Sequence, residues 1–309
     1  MARRALAKLD EGDIKGAVRT LCSSEQLVEP SPETLRLLQA KHPPRPLDYD
    51  LHLPSVLPPP LIASQQDVEM AIRSFPAGSA GGFDGLRPQH LKDLTSRQVG
   101  GSLLQALTAF VNLVLAGETP ERICPVFFGA SLLPFKKADG GVRPIAVGLT
   151  LRRLIAKAAC HHGTVVAVET LKPRQLGVGV KGGAEALAHG ARLFLASLPS
   201  DSILVKLDFS NAFNSIRRDK VLETVASSLP GLLRFAASAY SSPSKLFLGS
   251  ETLDSAEGVQ QGDPLGPLLF SLTIHPLLQA TESDFVSGYL DDVSIGGEAS
   301  MVGADVRRL

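Results

Sequence analysis

The chain has 309 residues, 44% of them apolar, with 31 Lys and Arg balanced by 31 Asp and Glu, enough for a substantial core in one large domain or two modest ones. Zero net charge speaks against strong indiscriminate binding to nucleic acid. Cys22, Cys124 and Cys160 are scattered without CxxC or a matching His pair, no run of eighteen apolar residues occurs and no apolar signal core follows Met1, so no zinc site, disulfide framework, membrane span or secretory leader is expected.

From the amino terminus, Ala5, Leu6 and Leu9, then Ile14, Ala17, Val18 and Leu21, recur at helical spacing, and Ser31-Pro32-Glu33 supplies a helix start before Leu35, Leu37 and Leu38. Residues 1–45 therefore read as a helical N-terminal extension. His42-Pro43-Pro44-Arg45-Pro46 and Pro58-Pro59-Pro60 come next. Proline at this density neither continues a helix nor joins a central strand, so residues 46–63 read as an extended linker. The spacing then predicts helices over 64–75, 88–94 and 101–116, with a flexible glycine-rich turn at 76–85.

Residues 130–135 read as a strand, and Asp139-Gly140-Gly141 before the next apolar run signals a hairpin. A helical pattern over 149–168 carries Arg152, Arg153 and Lys157. The glycines of residues 175–183 lack the GxxxxGK[ST] ending of a nucleotide P-loop. His161-His162 is adjacent and has no HExxH context, which argues against metal ligation there. Beyond the strand that ends at Asp208, helices are expected over 218–229, 230–241 and 264–280, and hairpins over 246–253 and around Asp291. Helices packed on an antiparallel sheet make the class α+β.

Charge is unevenly distributed. Residues 121–181 carry ten Lys and Arg against three Asp and Glu, a net of +7, whereas 251–309 carry ten Asp and Glu against two Arg, a net of −8. A basic surface suits phosphates and an acidic one suits metal, unless both are solvated faces that happen to segregate. Tyr289-Leu290-Asp291-Asp292 places two adjacent carboxylates after a short apolar strand, and Leu204-Val205-Lys206-Leu207-Asp208-Phe209 ends a second strand in another. Side by side, these strands would bring three oxygen donors to one point, as two-metal phosphoryl transfer requires. The plainer readings are that Asp208 caps the helix after Ser210 and Asn211, and that Asp291-Asp292 is an ordinary hairpin turn.

Six blocks stand in order: Gly81-Gly82-Phe83-Asp84-Gly85; Leu133-Pro134-Phe135-Lys136-Lys137 with Arg143-Pro144-Ile145; Gln175-Leu176-Gly177; Leu207-Asp208-Phe209-Ser210-Asn211-Ala212-Phe213-Asn214; Gly258-Val259-Gln260-Gln261-Gly262-Asp263-Pro264-Leu265; and Tyr289-Leu290-Asp291-Asp292. Together they resemble the reverse transcriptase of a non-LTR retrotransposon over about residues 77–297, with bacterial intron-type reverse transcriptases as near relatives. The resemblance implies a right-hand polymerase with an antiparallel sheet: fingers over 64–199 and a partial palm over 200–309, the thumb absent, as in a fragment of a longer reading frame or a truncated element copy. It implies an intracellular, nuclear or cytoplasmic, RNA-directed DNA polymerase that adds dNTPs to a DNA primer on an RNA template, using two Mg²⁺ or Mn²⁺ ions and no membrane. The alternative is an inert nucleic-acid-binding remnant.

The same resemblance assigns roles to residues. Asp208 and Asp291 would bridge both ions, with Asp292 adjacent and supportive and the Phe209 carbonyl as a further ligand. Lys136, Lys137 and Arg143 would meet the incoming triphosphate, or else be ordinary solvated side chains of a hairpin. Phe213 would lie under the deoxyribose and exclude a 2′-hydroxyl, or be a core residue at a helix start. Gln261 and Gly262 would line the nucleotide pocket, though Gly262-Asp263-Pro264 also reads as a turn opening a helix. Gly82, Asp84, Gly85, Gln175, Gly177 and Tyr289 would follow the template and primer, the glycine segments mainly by shaping the fingers.

Overall fold

Ser31 starts a helix as its sequence predicts: its hydroxyl accepts the Thr34 N–H at 3.0 Å and Pro32 occupies the first turn. The structure is a computed structural model and describes residues 2–10, 12–22, 27–96, 100–137 and 140–309. Ala138 and Asp139, the start of the expected Asp-Gly-Gly turn, lie outside the described residues. The N-terminal extension is helical as expected, in α1 (Ala2–Asp10), α2 (Ile14–Cys22) and α3 (Pro32–Lys41).

The proline-rich stretch has no regular secondary structure, but it is not a free linker. Leu51, Leu53, Leu57 and Leu61 pack against the main core, the Leu61 N–H donates to the Gly231 carbonyl at 2.7 Å, and Arg234 Nε donates to the Pro58 carbonyl at 2.9 Å. Proline removes backbone donors and keeps the chain extended, while the leucines between the prolines find apolar surface. The segment is a strap.

Next come α4 (Gln65–Arg73), opened by a capping box between Ser64 and Asp67, then α5 (Pro88–Thr95), α6 (Gly100–Leu115) and the short α7 (Cys124–Phe127). The hairpin β1 (Ala130–Lys136) and β2 (Val142–Gly148) leads into the long α8 (Thr150–Leu171). After α9 (Gly183–Ala196) the chain forms β3 (Ser202–Asp208), α10 (Ala212–Ser215), α11 (Arg218–Ser228) and α12 (Leu233–Tyr240). The hairpin β4 (Ser244–Leu248) and β5 (Glu251–Ser255), α13 (Gly266–Gln279), the hairpin β6 (Phe285–Tyr289) and β7 (Asp292–Glu298), and α14 (Ala299–Arg308) complete it. Sequence pattern missed α9 and α14. The first is Ala- and Gly-rich with its Leu193 and Leu195 exposed, and the second buries only Val302 and Asp305.

Two sheets result, one in the order β2-β1-β4-β5 and one in the order β3-β7-β6. All pairings are antiparallel except β1 with β4, which run parallel through Ala130↔Leu246 and Ser131↔Phe247. The class is α+β, as the element pattern predicted. Division at residue 200 is not a division between cores. The β1–β4 pairing crosses it, and one buried cluster runs from Val68 and Val111 through Leu154 to Leu222 and Leu268. Among the described residues no helix is long and apolar enough to cross a membrane.

A buried ion pair joins the two halves. Arg152 on α8 donates to Asp263 Oδ2 at 2.6 Å and also to Gln260 Oε1, and the Tyr240 hydroxyl donates to the same Asp263 oxygen at 2.8 Å. The other Asp263 oxygen accepts the Leu265 N–H at 3.0 Å, so the expected helix-start role of this aspartate holds for one oxygen while the second is tied to α8. Burial, with the Asp263 carboxylate beside it, pushes the Tyr240 phenol well above its ordinary pKa and keeps it a donor. At the other end of the fold, Asp305 on α14 accepts the N–H groups of Glu282 and Ser283 at 3.0 and 2.8 Å and the Ser283 hydroxyl at 2.6 Å. Burial works against its charge, yet these donors and Arg308 hold its pKa below the usual value.

Arg152→Leu, which leaves Asp263 buried and unpaired, is expected to lower unfolding free energy by about 3–5 kcal/mol, and Arg152→Leu/Asp263→Leu by less than Arg152→Leu alone. Urea titration checks this, and a double variant as unstable as the sum of the singles would contradict it. Asp305→Ala should cost about 2 kcal/mol at neutral pH. Because the folded pKa lies below the unfolded value, that contribution is complete above about pH 5. It is lost as pH falls through the folded pKa, so the gap between wild type and variant should narrow below about pH 4.

Candidate functional site

The second sheet decides where its carboxylates go. In the β3–β7 register Leu207 lies opposite Val293 and Asp208 opposite Asp292. Val293 and Ile295 are fully buried beneath α13 and α14, against Leu278 and Val302, so strand alternation turns Lys206, Asp208 and Asp292 to the opposite, solvent face. β6 and β7 are joined by a two-residue turn, Leu290-Asp291, with Leu290 at φ +58°. Such tight hairpins require positive φ at a central position, which is usually glycine.

Asp291 and Asp208 line one cavity of about 380 Å³, together with Phe209, Ser210, Asn211, Phe213 and Gln261. Asp292 does not line it. Its Oδ1 takes the Lys206 ammonium at 2.8 Å on the exposed face, and this contact, with Asp208 and Asp291 nearby, raises the Lys206 pKa. Asp208 and Asp292 nevertheless stand opposite each other on one face of the sheet, Asp291 precedes Asp292 in the turn, and all three carboxylates act on Lys206. Among the described residues no group of three His, Cys, Asp or Glu side chains is placed to hold a metal. Two carboxylates with the neighbouring Phe209 carbonyl still suit a hard cation such as Mg²⁺, which keeps several waters and is bound through one or two carboxylates plus substrate phosphates.

The β1–β2 hairpin supplies the facing wall. Even-numbered residues Leu132, Pro134, Pro144 and Ala146 turn inward. Arg143, opposite Phe135, and Lys137, two residues beyond Phe135, share the other face and line the cavity. Val142 and Pro144 of the other parity also line the cavity, whereas Lys136, exposed at the strand's end, does not. A third cation comes from Lys41 at the end of α3. Asn211, at φ +56°, donates to the Lys41 carbonyl at 2.9 Å and so ties that helix end to the loop after Asp208. No sequence signal marks Lys41, since it stands 167 residues from Asp208 and outside every recognised block. Asn211, not Asp208, holds the cap position of α10, so Asp208 is not spent as a helix cap.

Phe213 is half-buried at the cavity and stacks on Phe270, with ring centroids 4.6 Å apart and planes 17° from parallel. Its carbonyl accepts the Val259 N–H at 2.7 Å, which locks the ring's base. Gln261 lines the cavity and its carbonyl accepts the Ala146 N–H at 2.8 Å. Gly262 does not line it. At φ +123°, with space for a Cβ only 2.4 Å from the Ala146 carbonyl oxygen, its glycine serves close approach to β2. Gly82, Asp84, Gly85 and Tyr289 also lie outside the cavity wall. Gly82 packs on the Leu149 backbone, and Asp84 is exposed and accepts the Leu86 N–H. Gln175 is fully buried, and Gly177 lies against Leu290.

The family profile described as reverse transcriptase (RNA-dependent DNA polymerase) matches residues 135–302. The chain is 27% identical over 247 residues to the retrotransposable element SLACS 132 kDa protein of Trypanosoma brucei gambiense, covering 76% of this chain and 20% of that protein. It is 26% identical over 266 residues to the retrovirus-related Pol polyprotein from type-2 retrotransposable element R2DM of Drosophila melanogaster, covering 77% of this chain and 23% of that protein. The chain thus spans between a fifth and a quarter of the length of these curated relatives. A solved telomerase of Candida tropicalis, in complex with a TWJ fragment of telomeric RNA, superposes with a TM-score of 0.44 at 12% identity over 59% of this chain and 38% of that one.

Mn²⁺ in the millimolar range is expected to raise the melting temperature by easing the repulsion between Asp208 and Asp291, and either single Asp→Asn change should abolish the rise. Asp292→Asn should retain most of it. Differential scanning fluorimetry decides, and equal loss in all three variants would make Asp292 an equal member of the metal site.

Proposed function

The chain belongs to the reverse transcriptase (RNA-dependent DNA polymerase) family, and from that premise we propose that the Asp208–Asp291 cavity is where a primer 3′-hydroxyl is joined to a deoxynucleoside triphosphate on an RNA template. One observation carries the reading. Two carboxylates, three cations and a fixed aromatic ring line a single open cavity, and the reaction needs all three kinds of group.

Lys137, Arg143 and Lys41 are suited to the triphosphate, Arg143 by its planar fork and the lysines as point charges. Holding the α-phosphorus in line with the primer oxygen is the chief contribution of such residues. The new O3′–P bond forms as the bond to the bridging oxygen breaks, pyrophosphate leaves and the hydroxyl proton passes to solvent. Two divalent ions held by Asp208, Asp291 and the Phe209 carbonyl would lower the 3′-hydroxyl pKa and offset charge on the pyrophosphate. On this reading the β1–β2 hairpin acts as fingers and the β3-β7-β6 sheet as palm. The RNA template, DNA primer and dNTPs are partners of the same proposal, in keeping with the non-LTR retrotransposon proteins among the relatives.

Phe213 is the proposed sugar gate. Its ring is backed by Phe270, so on this reading a 2′-hydroxyl would meet a supported aromatic surface.

Incorporation of labelled dNTP on an RNA template with a DNA primer tests the assignment. Wild type should incorporate in Mg²⁺ or Mn²⁺, and Asp291→Asn should lose about 100-fold or more, equivalent to at least ~2.7 kcal/mol of barrier; equal incorporation by the two would refute it. Phe213→Ala should shrink the dNTP-over-rNTP preference in kcat/KM by about tenfold or more. Unchanged sugar discrimination in an active variant would leave Phe213 as a core residue.

A further inference from the structure

Leu290 is a branched residue held at φ +58°, a conformation that L side chains rarely adopt, and it immediately precedes Asp291. What holds it there is Gln175. The Gln175 side chain donates from Nε2 to the Leu290 carbonyl at 3.1 Å, while its Oε1 accepts the Leu290 N–H at 2.8 Å and the Gly177 N–H at 3.0 Å. Only one amide orientation satisfies this set, because the flipped group would set its NH₂ against two N–H donors.

The surroundings explain why a side chain does this work. The segment around Gln175 runs beside β6 as a short parallel partner: the Gly288 N–H donates to the Arg174 carbonyl at 2.7 Å and the Leu176 N–H donates to the Gly288 carbonyl at 2.8 Å. β6 ends at Tyr289 and the chain turns, so backbone pairing cannot continue. The Gln175 carboxamide, chemically a peptide group, supplies the next rung. Arg174 anchors the segment to the Leu278 carbonyl of α13 and to the Thr281 hydroxyl just beyond that helix, and Gly177 leaves room, since a Cβ there would stand 2.6 Å from the Leu290 nitrogen. Gln175 is 0% exposed, so nothing in solvent competes for its amide.

We propose that Gln175 is a positioning residue for Asp291: its carboxamide fixes the Leu290 peptide in the positive-φ turn that directs the Asp291 carboxylate into the cavity. This rests on reading the cavity as the nucleotidyl-transfer site. Gln175 touches neither substrate nor metal and acts through one peptide unit. Outer groups that orient ligands in this way typically govern about 10–100-fold in metal affinity or activity.

The test uses Gln175→Met, apolar and of similar length, and Gln175→Glu, which keeps an acceptor but turns an oxygen toward the Leu290 carbonyl, each also combined with Leu290→Gly. Three readouts are taken: amide hydrogen exchange of the 288–293 segment without metal, the Mn²⁺ midpoint of the melting-temperature rise, and dNTP incorporation split into kcat and KM for template–primer. Both single variants should exchange faster at the hairpin, shift the Mn²⁺ midpoint upward by about tenfold or more and lose kcat by a similar factor, with KM nearly unchanged. Leu290→Gly should recover part of the Mn²⁺ response, because glycine adopts the turn without a clamp. If one substitution prevents folding, the other carries the test. Wild-type exchange and midpoint in a folded variant, or a lower melting temperature with an unmoved midpoint, overturn the proposal while a normal Asp291→Asn loss leaves the cavity reading intact. A wild-type Mn²⁺ response in Asp291→Asn overturns both.

Discussion

The buried Arg152–Asp263 pair is the constraint from which the cavity is hung. Two charges removed from water are tolerable only when each finds its counter-charge and the remaining polar atoms find partners, and here Asp263 is filled by Arg152, Tyr240 and the Leu265 N–H. Gln260 extends the network to the Phe128 carbonyl and the Ser244 hydroxyl, both at 2.9 Å. One polar cluster thereby fixes the approach to β1, the start of β4, the long helix α8 and the turn that carries Gln261. A purely apolar junction would bind these elements without setting their register.

From that junction the cavity walls follow by strand geometry. The turn after Gln260 is laid along β2 by the Ala146–Gln261 hydrogen bond, and β2 presents Arg143 on the face opposite its core residues. On the other wall, Arg218 is buried with its Nε donating to the Gly258 carbonyl and its N–H to Glu257. That second polar cluster ties α11 to the 257–258 segment, and the Val259 N–H donates to the carbonyl of Phe213 on the short helix α10 just before it. Cations and carboxylates thus face each other across a gap whose two sides are set by one shared stretch of chain.

The proline-rich strap and α3 gain their meaning from the same arrangement. The strap lays leucines over the core while Arg234 and Asn112 satisfy its carbonyls and amides at Pro58 and Ala63. α3 packs on the β1–β2 side through Leu38, which is fully buried there, and its last residue delivers Lys41 to the cavity. An N-terminal segment with no recognisable block therefore completes a wall whose other members stand in the blocks.

What the sequence alone determined is local. Ser31 before Pro32, the Ser64–Asp67 box, the apolar runs of β1 and β2, and strands ending in Asp208 and before Asp291 all express nearest-neighbour propensity and alternation, and they sufficed for the α+β class and for the two carboxylates that share a cavity. Tertiary structure decided what depends on distant partners. Asp291 and Asp292 are adjacent in sequence, yet only hairpin register sends one into the cavity and the other to Lys206. Gln175 reads as a residue along the template and primer, and only the fold shows it buried against Leu290, 115 residues away. Lys41, Gly262 and the strap are the same case: their roles are set by contacts across long chain separations, and no local pattern in a single sequence encodes which distant backbone a side chain will meet.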